Sequence, residues 1–435
     1  MTQTTPDTMA EATNVEVDVL IVGAGYTGLL LLRDLVRQGY TTLVVSESNI
    51  GHGQSLHNHG YVHRGYTRRD EKSIRTFAPN QTTEPWKKLC QEFDVVMNEG
   101  KVYHCIPTAS SPEVNALWNK FSMPFYKLKN TEVEDLFGKQ KASDMEGKMD
   151  VFRVEDATFC NEKLFHGLAN SLKEHCIQGT ITKMLLDDKG SKIASVHVEA
   201  SSGSIQVHPR FVALATGPGT LSVLRLIQTS QPVELKQVCR SAPMICIRAK
   251  EPGILPNLDA FFLFGSGPFM YAQHDMTASG KHFLGYLTPF SSPRISSEPL
   301  KGTAESEVMY EQVVPSIQAW MQLFPSLHNK ESELEFAVFA GWKLEEPDDL
   351  IQFPSIPNLC VSTAITLSAS IPLASKTATF IEDSLGKPEQ KGREQLSQVL
   401  KENASHTKIG EDEFNRCKWL PWKEFSEMCS SKSAK

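Results

Sequence analysis

The sequence predicts an α/β chain, α+β overall, with a Rossmann-like nucleotide-binding part. Three observations carry that prediction. A short β-branched apolar run opens onto Gly23-Ala24-Gly25-Tyr26-Thr27-Gly28, a helical pattern and a second strand follow at once, and Glu47 stands at that strand's end. At 435 residues the chain exceeds what one simple core supports, so two interleaved or sequential domains are expected.

Taken in order, residues 1–14 read as a disordered leader, and Val19–Val22 as a buried parallel strand. A helix over Thr27–Gln38 stops at Gly39, and a strand follows at Thr42–Ser46. Residues 51–69 form a loop rich in Gly and His. Helices are expected at Glu84–Phe93 and Pro112–Phe121. Strands Ile193–Glu199 and Ile205–Leu214 pair around a Ser-Gly turn, and the second runs into Ala215-Thr216-Gly217. Strand-like stretches follow at Met244–Arg248, Ala260–Leu263 and His282–Tyr286, then a helix near Glu305–Leu323. The last globular unit reads as strand Leu359–Ser362 and a helix from Pro372 to Asp383, with Ser370 as its cap. A polar helix, Arg393–Glu402, and a tail carrying Trp419, Trp422 and Phe425 complete the chain; the tail is expected to dock on its own domain.

Composition narrows the function classes. The net charge of −7 argues against a nucleic-acid partner, which needs a basic face. No run approaches eighteen apolar residues, so no membrane span is expected. Met1–Glu16 is polar, acidic and free of arginine, unlike a signal or transit peptide, and a cytoplasmic location is expected. The nine cysteines are scattered without a CxxC pair, so reduced thiols and no metal site are expected.

The glycine motif has a physical reading at each position. Gly23 permits a tight turn, Gly25 lets a diphosphate approach the backbone, and Gly28 allows close helix–strand packing. The helix N-terminus at Tyr26 and Thr27 faces the phosphate charge, and Glu47 can bind ribose hydroxyls. An NAD-binding unit continues as further βα repeats. Here the pattern breaks off after Glu47 and strand–turn material returns only near residue 205, which points to FAD.

With these features assembled, the chain resembles the D-amino-acid-oxidase-like superfamily of FAD enzymes over roughly residues 15–385. The resemblance rests on the fingerprint with Glu47, on the loop from Gly53 through His57-Asn58-His59-Gly60 to Tyr66, and on Ala215-Thr216-Gly217. It rests also on Ala340-Gly341-Trp342-Lys343 followed by Pro347-Asp348. The HNxGxxHxG spacing from His57 to Gly65 is similar to the loop of L-2-hydroxyglutarate dehydrogenases, with a looser version in glycerol-3-phosphate dehydrogenases and oxidases. Two departures stand out. Ser362–Ser370 replaces a Gly-His-Gly-like turn, and Lys343 stands where many members carry arginine.

The resemblance implies an FAD-binding domain assembled from residues 15–84, 151–235 and 336–390, interleaved with a β-sheet substrate-binding domain from 85–150 and 236–335; residues 391–435 would be a C-terminal helix and tail. It implies hydride transfer to flavin N5 from a CH–OH or CH–NH group of a small acid, either a 2-hydroxy acid or an amino acid. Ser55, His57, Asn58, Gly60, Thr216, Gly217 and Ser370 would join the fingerprint in holding the cofactor.

The loop holds His52, His57, His59 and His63, and a near-neutral imidazole suits proton abstraction. His63 or His57 is the candidate base, Arg64 a candidate for a substrate carboxylate, and Lys343 for a carboxylate or the flavin. Tyr271 and His274 are weaker candidates to face substrate. Alternatives stay open: packing roles for the histidines, covalent flavin attachment through His57, a non-catalytic or degenerate flavoprotein, and a flavin tailoring monooxygenase. The last would need NAD(P)H, and no second GxGxxG is visible. The partner is a small-molecule substrate, with oxygen, a quinone or a protein as electron acceptor.

Overall fold

The computed structural model describes residues 12–433 other than 57, 68–70, 77–78, 230–232, 250, 252, 264–268, 275–282, 289–294, 297–309, 347–348, 365, 390 and 411–417. Strand β1 (Thr13–Val22) runs into the glycine turn, helix α1 (Tyr26–Arg37) returns, and β2 (Thr42–Ser46) lies parallel to β1 with Val19 opposite Thr42. The expected leader therefore stops short. Thr13 and Asn14 already pair with Ile205 and Gln206, because the strand that receives β1 extends as far.

That receiving strand, Gly203–Leu214, organises the first sheet. It pairs along its length with β1 in parallel, over its first residues with antiparallel Ile193–Ala200, and over its last three with parallel Leu359–Thr363. Strand Cys176–Leu186 then links β2 to Ile193–Ala200. Leu29, Leu31, Leu32 and Leu35 of α1 are fully buried. They belong to a core completed by helices Asn161–Leu172 and Ser370–Leu385, so α1 is held by packing on one face.

Asp18, almost wholly buried in β1, accepts from the Thr41 amide at 2.9 Å and from Arg210 at 2.7 Å. Burial pushes its carboxyl up, but the Thr41 amide, the Arg210 guanidinium and the Glu389 amide outweigh that and hold it below its ordinary 3.8. A lowered carboxylate stabilises the fold fully above its unfolded value and loses that contribution as pH falls through the lowered one. Thermal melts of Asp18→Asn should therefore lose less stability than wild type between about pH 5 and pH 2. Parallel pH curves would refute the assignment.

Among the described residues the second sheet contains ten strands, including Val102–Pro107, Met149–Val154, Val238–Ala249 and Leu334–Glu346. Residues 151–154 and 336–346, grouped by sequence with the nucleotide-binding part, pair here instead: Val102 lies opposite Val154, and Phe336 opposite Ile247. Apolar alternation announces a strand but does not say which sheet it joins. Helix Tyr310–Leu323 covers this sheet's core, and Tyr271, expected near substrate, is fully buried there with its ring 5.2 Å from Trp320. Packing accounts for the burial of that tyrosine.

The C-terminal stretch is not one unit. Helix Arg393–Asn403 places Leu396 and Val399 in the first sheet's core. Leu420–Pro421 pairs with Glu335–Phe336 and helix Trp422–Ser433 buries Phe425 in the second. A small sheet of Tyr61–Val62, Ala157–Phe159 and Met97–Glu99 carries the His-rich loop. No described helix is long and apolar enough to cross a membrane.

Candidate active site

The glycine turn is tight for physical reasons. Gly23 has φ of +102°, and a Cβ there would lie 2.5 Å from the Ala215 carbonyl oxygen. A Cβ at Gly28 would overlap the Gly23 carbonyl oxygen, and one at Gly25 would meet Ser55 Oγ at 2.8 Å. The Leu29 amide makes the first bond back along the helix, to Gly25 O at 2.9 Å, so the Thr27 and Gly28 amides precede the helical ladder. No acidic residue occupies the first turn, and the positive end of the helix dipole is left uncompensated there.

The predicted residues divide between this turn and its supports. The Tyr26 amide donates to Ser55 Oγ at 2.9 Å, but its side chain turns into the core, packing against Phe165 and Trp86 and donating to Asn161 Oδ1. Tyr26 thus belongs to the site only through its backbone. Asn58 Nδ2 donates to Ser55 O at 2.9 Å and Asn58 Oδ1 accepts from the Gly60 amide at 2.9 Å, so Asn58 shapes the loop. Gly60, at φ +61°, is glycine because a Cβ would overlap the Phe159 carbonyl oxygen. Thr216 and Gly217 follow Ala215 beside Gly23, and the Thr220 hydroxyl bonds both, at 3.0 Å to Thr216 Oγ1 and 2.7 Å to Gly217 O.

Glu47 stands exposed at the end of β2, beside a cavity of about 480 Å³. Ser370 does not cap its helix: it is the first helical residue, buried, and the cap position Ala369 makes no side-chain bond. The neighbouring Ser368 holds the site instead, its Oγ accepting from the His63 amide at 3.1 Å. His57 lies outside the described residues, as do the side chains of Lys343 and His274.

His63 is buried, with its ring 6.2 Å from Tyr61 and nearly parallel to it. Arg64 is not available to a substrate carboxylate. Its Nη1 pairs with Glu155 at 2.5 Å, its Nε donates to Thr83 Oγ1 at 2.8 Å, and its amide donates to Asp156 Oδ1 at 2.6 Å. The adjacent acids at 155 and 156 explain the difference, since sequence shows the charges without showing their pairing.

Asp156 itself was invisible to motif reading. It is fully buried, accepts from the Tyr61 hydroxyl and the Arg64 amide, and lies 3.5 Å from Nε2 of the fully buried His104. Burial, reinforced by Asp156, pushes the Tyr61 hydroxyl well above its usual range, so it remains a donor. One carboxylate thereby grips the Tyr61–Arg64 segment at both ends, with Val62 and His63 between. The only advance signal was a histidine inside the apolar strand Val102–Pro107.

A glycine turn at a helix N-terminus, an acidic residue closing the second parallel strand and a polar cavity beside it define a dinucleotide-binding oxidoreductase fold. Its glycines keep the backbone clear where side chains would intrude, and the cavity begins at Glu47, the carboxylate expected to meet a ribose, so the residues fit FAD.

The model of the FAD dependent oxidoreductase (DAO) family matches residues 18–355, well over half of the chain, and the protein belongs to that family. A probable FAD-dependent oxidoreductase of Pseudomonas aeruginosa, PA4991, is 43% identical over 263 residues, which span 58% of this chain and 62% of that one, a little under two thirds of its length. Its crystal structure superposes with a TM-score of 0.59 at 19% identity, covering 88% of this chain and 94% of that one. L-proline dehydrogenase from P. horikoshii superposes with a TM-score of 0.64 at 14% identity, covering 91% of this chain and all of that one. L-amino acid deaminase from Proteus vulgaris superposes at 0.65 and 15%, covering 90% and 98%.

Proposed function

We propose that this protein oxidises the C–N bond of a small amino or imino acid. The Gly23–Gly28 turn would hold the FAD diphosphate, Glu47 the ribose, and His63 would face the substrate. FAD, when bound, supplies a two-electron acceptor that takes a hydride at N5. The observation that carries the reading is the placement of His63: buried, tied through its backbone to Ser368 at the head of helix Ser370–Leu385, and set in the loop whose Ser55 contacts the glycine turn. There its imidazole can position a substrate amine by a hydrogen bond, the amine's own lone pair sparing it the part of an essential base. The likeness in fold to an L-proline dehydrogenase and an L-amino acid deaminase supports an amine substrate, and the engagement of Arg64 with Glu155 leaves the carboxylate-binding group to another residue.

A second reading, oxidation of a 2-hydroxy acid or polyol phosphate, is favoured by the HNxGxxHxG spacing, the feature shared with the L-2-hydroxyglutarate and glycerol-3-phosphate enzymes. The two differ in their need for a base, because a neutral amine already offers a lone pair and a hydroxyl must lose its proton. Anaerobic mixing with proline, glycine, larger L-amino acids, L-2-hydroxyglutarate and glycerol 3-phosphate should bleach the flavin band near about 450 nm with an amino acid. His63→Ala should cost a factor on the order of 10²–10⁴ with a hydroxy acid, and about tenfold or less with an amine. Bleaching by hydroxy acids alone installs the second reading. A flavin that no candidate bleaches overturns both.

A further inference from the structure

The cavity beside Glu47 has a wall contributed by the far end of the chain, past the 18–355 stretch that the family model matches. His406 and Lys408 line it together with Glu47, Asn49, Gln178 and Glu199. Backbone bonds fix them in place: the Ile50 amide donates to Lys408 O at 2.8 Å, and the Gly410 amide donates to Ile50 O at 2.7 Å. The next residue, Gly51, donates its amide to Ala24 O at 3.0 Å, inside the glycine turn. Thr407 adds a bond from its hydroxyl to Cys176 O at 3.2 Å. The fit at Gly410 is close, since a Cβ there would meet Leu56 at 3.1 Å and the Ile50 carbonyl at 3.2 Å.

We propose that the segment His406–Gly410 is the outer wall of the site for the adenosine half of the dinucleotide, with Lys408 as a binding residue. The reasoning is electrostatic as well as geometric. Glu47 and Glu199 alone would make this cavity repel a ligand bearing a diphosphate, and Lys408 is the lysine lining it that offsets them. The hydrogen-bonded path from Lys408 through Ile50 and Gly51 to Ala24 joins the segment to the turn itself. This rests on the assignment of Glu47 and the glycine turn to FAD.

The test is titration of apoprotein with FAD and, separately, with riboflavin, which lacks the diphosphate and adenosine. Lys408→Ala should weaken FAD about threefold and Lys408→Glu about tenfold, with riboflavin unchanged and the melting temperature held. Gly410→Val, which presses the segment away from Leu56 and Ile50, should weaken FAD in the same selective way. Lys401→Ala, an exposed change on the preceding helix, should match wild type. FAD affinity within twofold of wild type in both Lys408 variants overturns the proposal, as does an equal loss for FAD and riboflavin. Wild-type protein that binds neither flavin sinks the underlying assignment, a distinguishable failure.

Discussion

Gly28→Val is expected to purify as a colourless protein. The added Cβ would overlap the Gly23 carbonyl oxygen, a backbone atom that cannot rotate aside, and a second contact waits at Ala215 Cβ, 3.4 Å away. Relief requires helix α1 to move off the turn, at a cost of about 1–3 kcal/mol in strain. The larger loss is functional, because displacement takes the Thr27 and Gly28 amides out of register with a diphosphate. FAD affinity should fall more than about a hundredfold. Gly53→Ala is the control, for a Cβ there meets nothing within 4 Å. The ratio of flavin absorbance to protein absorbance after purification reads both, and a fully yellow Gly28→Val would refute this account of the turn.

Asp156→Ala should be the most destabilising single change near His63. It strands the Arg64 amide and takes the shared carboxylate from the buried Tyr61 hydroxyl and His104 imidazole, which keep their contact with each other at 3.3 Å. Removing one member of such a cluster costs about 3 kcal/mol, and a melt should fall by on the order of 5 °C or more. Asp156→Asn keeps the volume and one acceptor but turns an N–H toward a donor, so an intermediate loss is expected. Because Asp156 spans both ends of the segment carrying His63, Asp156→Asn should also slow flavin bleaching by substrate at temperatures where the fold is intact. Unchanged bleaching would leave Asp156 a structural residue only.

The nucleotide-binding half was legible where local physics decides. Strand Thr42–Ser46 falls where its β-branched pattern puts it, and α1 starts and stops within one residue of expectation because glycines bracket a leucine-rich face. Legibility ended where pairing decides. Leu334–Glu346 reads as a strand in either sheet, Arg64 reads as a ligand until Glu155 is seen beside it, and Asp156 and His104 are fifty-two positions apart with no motif joining them. Ser370 invited a capping role by its position before Pro372, yet helical geometry already begins there and the useful hydroxyl is Ser368.

The pairing of β1 with Gly203–Leu214, Val19 opposite Phe211, has a consequence for how the molecule is made. During synthesis the glycine fingerprint emerges early, but one whole edge of its first strand stays bare until nearly two hundred more residues have left the ribosome. Closing so long a loop is slow, and an exposed apolar strand invites association with other nascent chains in the interval. Trigger-type holdases should therefore crosslink most strongly to nascent chains stalled before residue 203, and release them soon after Leu214 emerges.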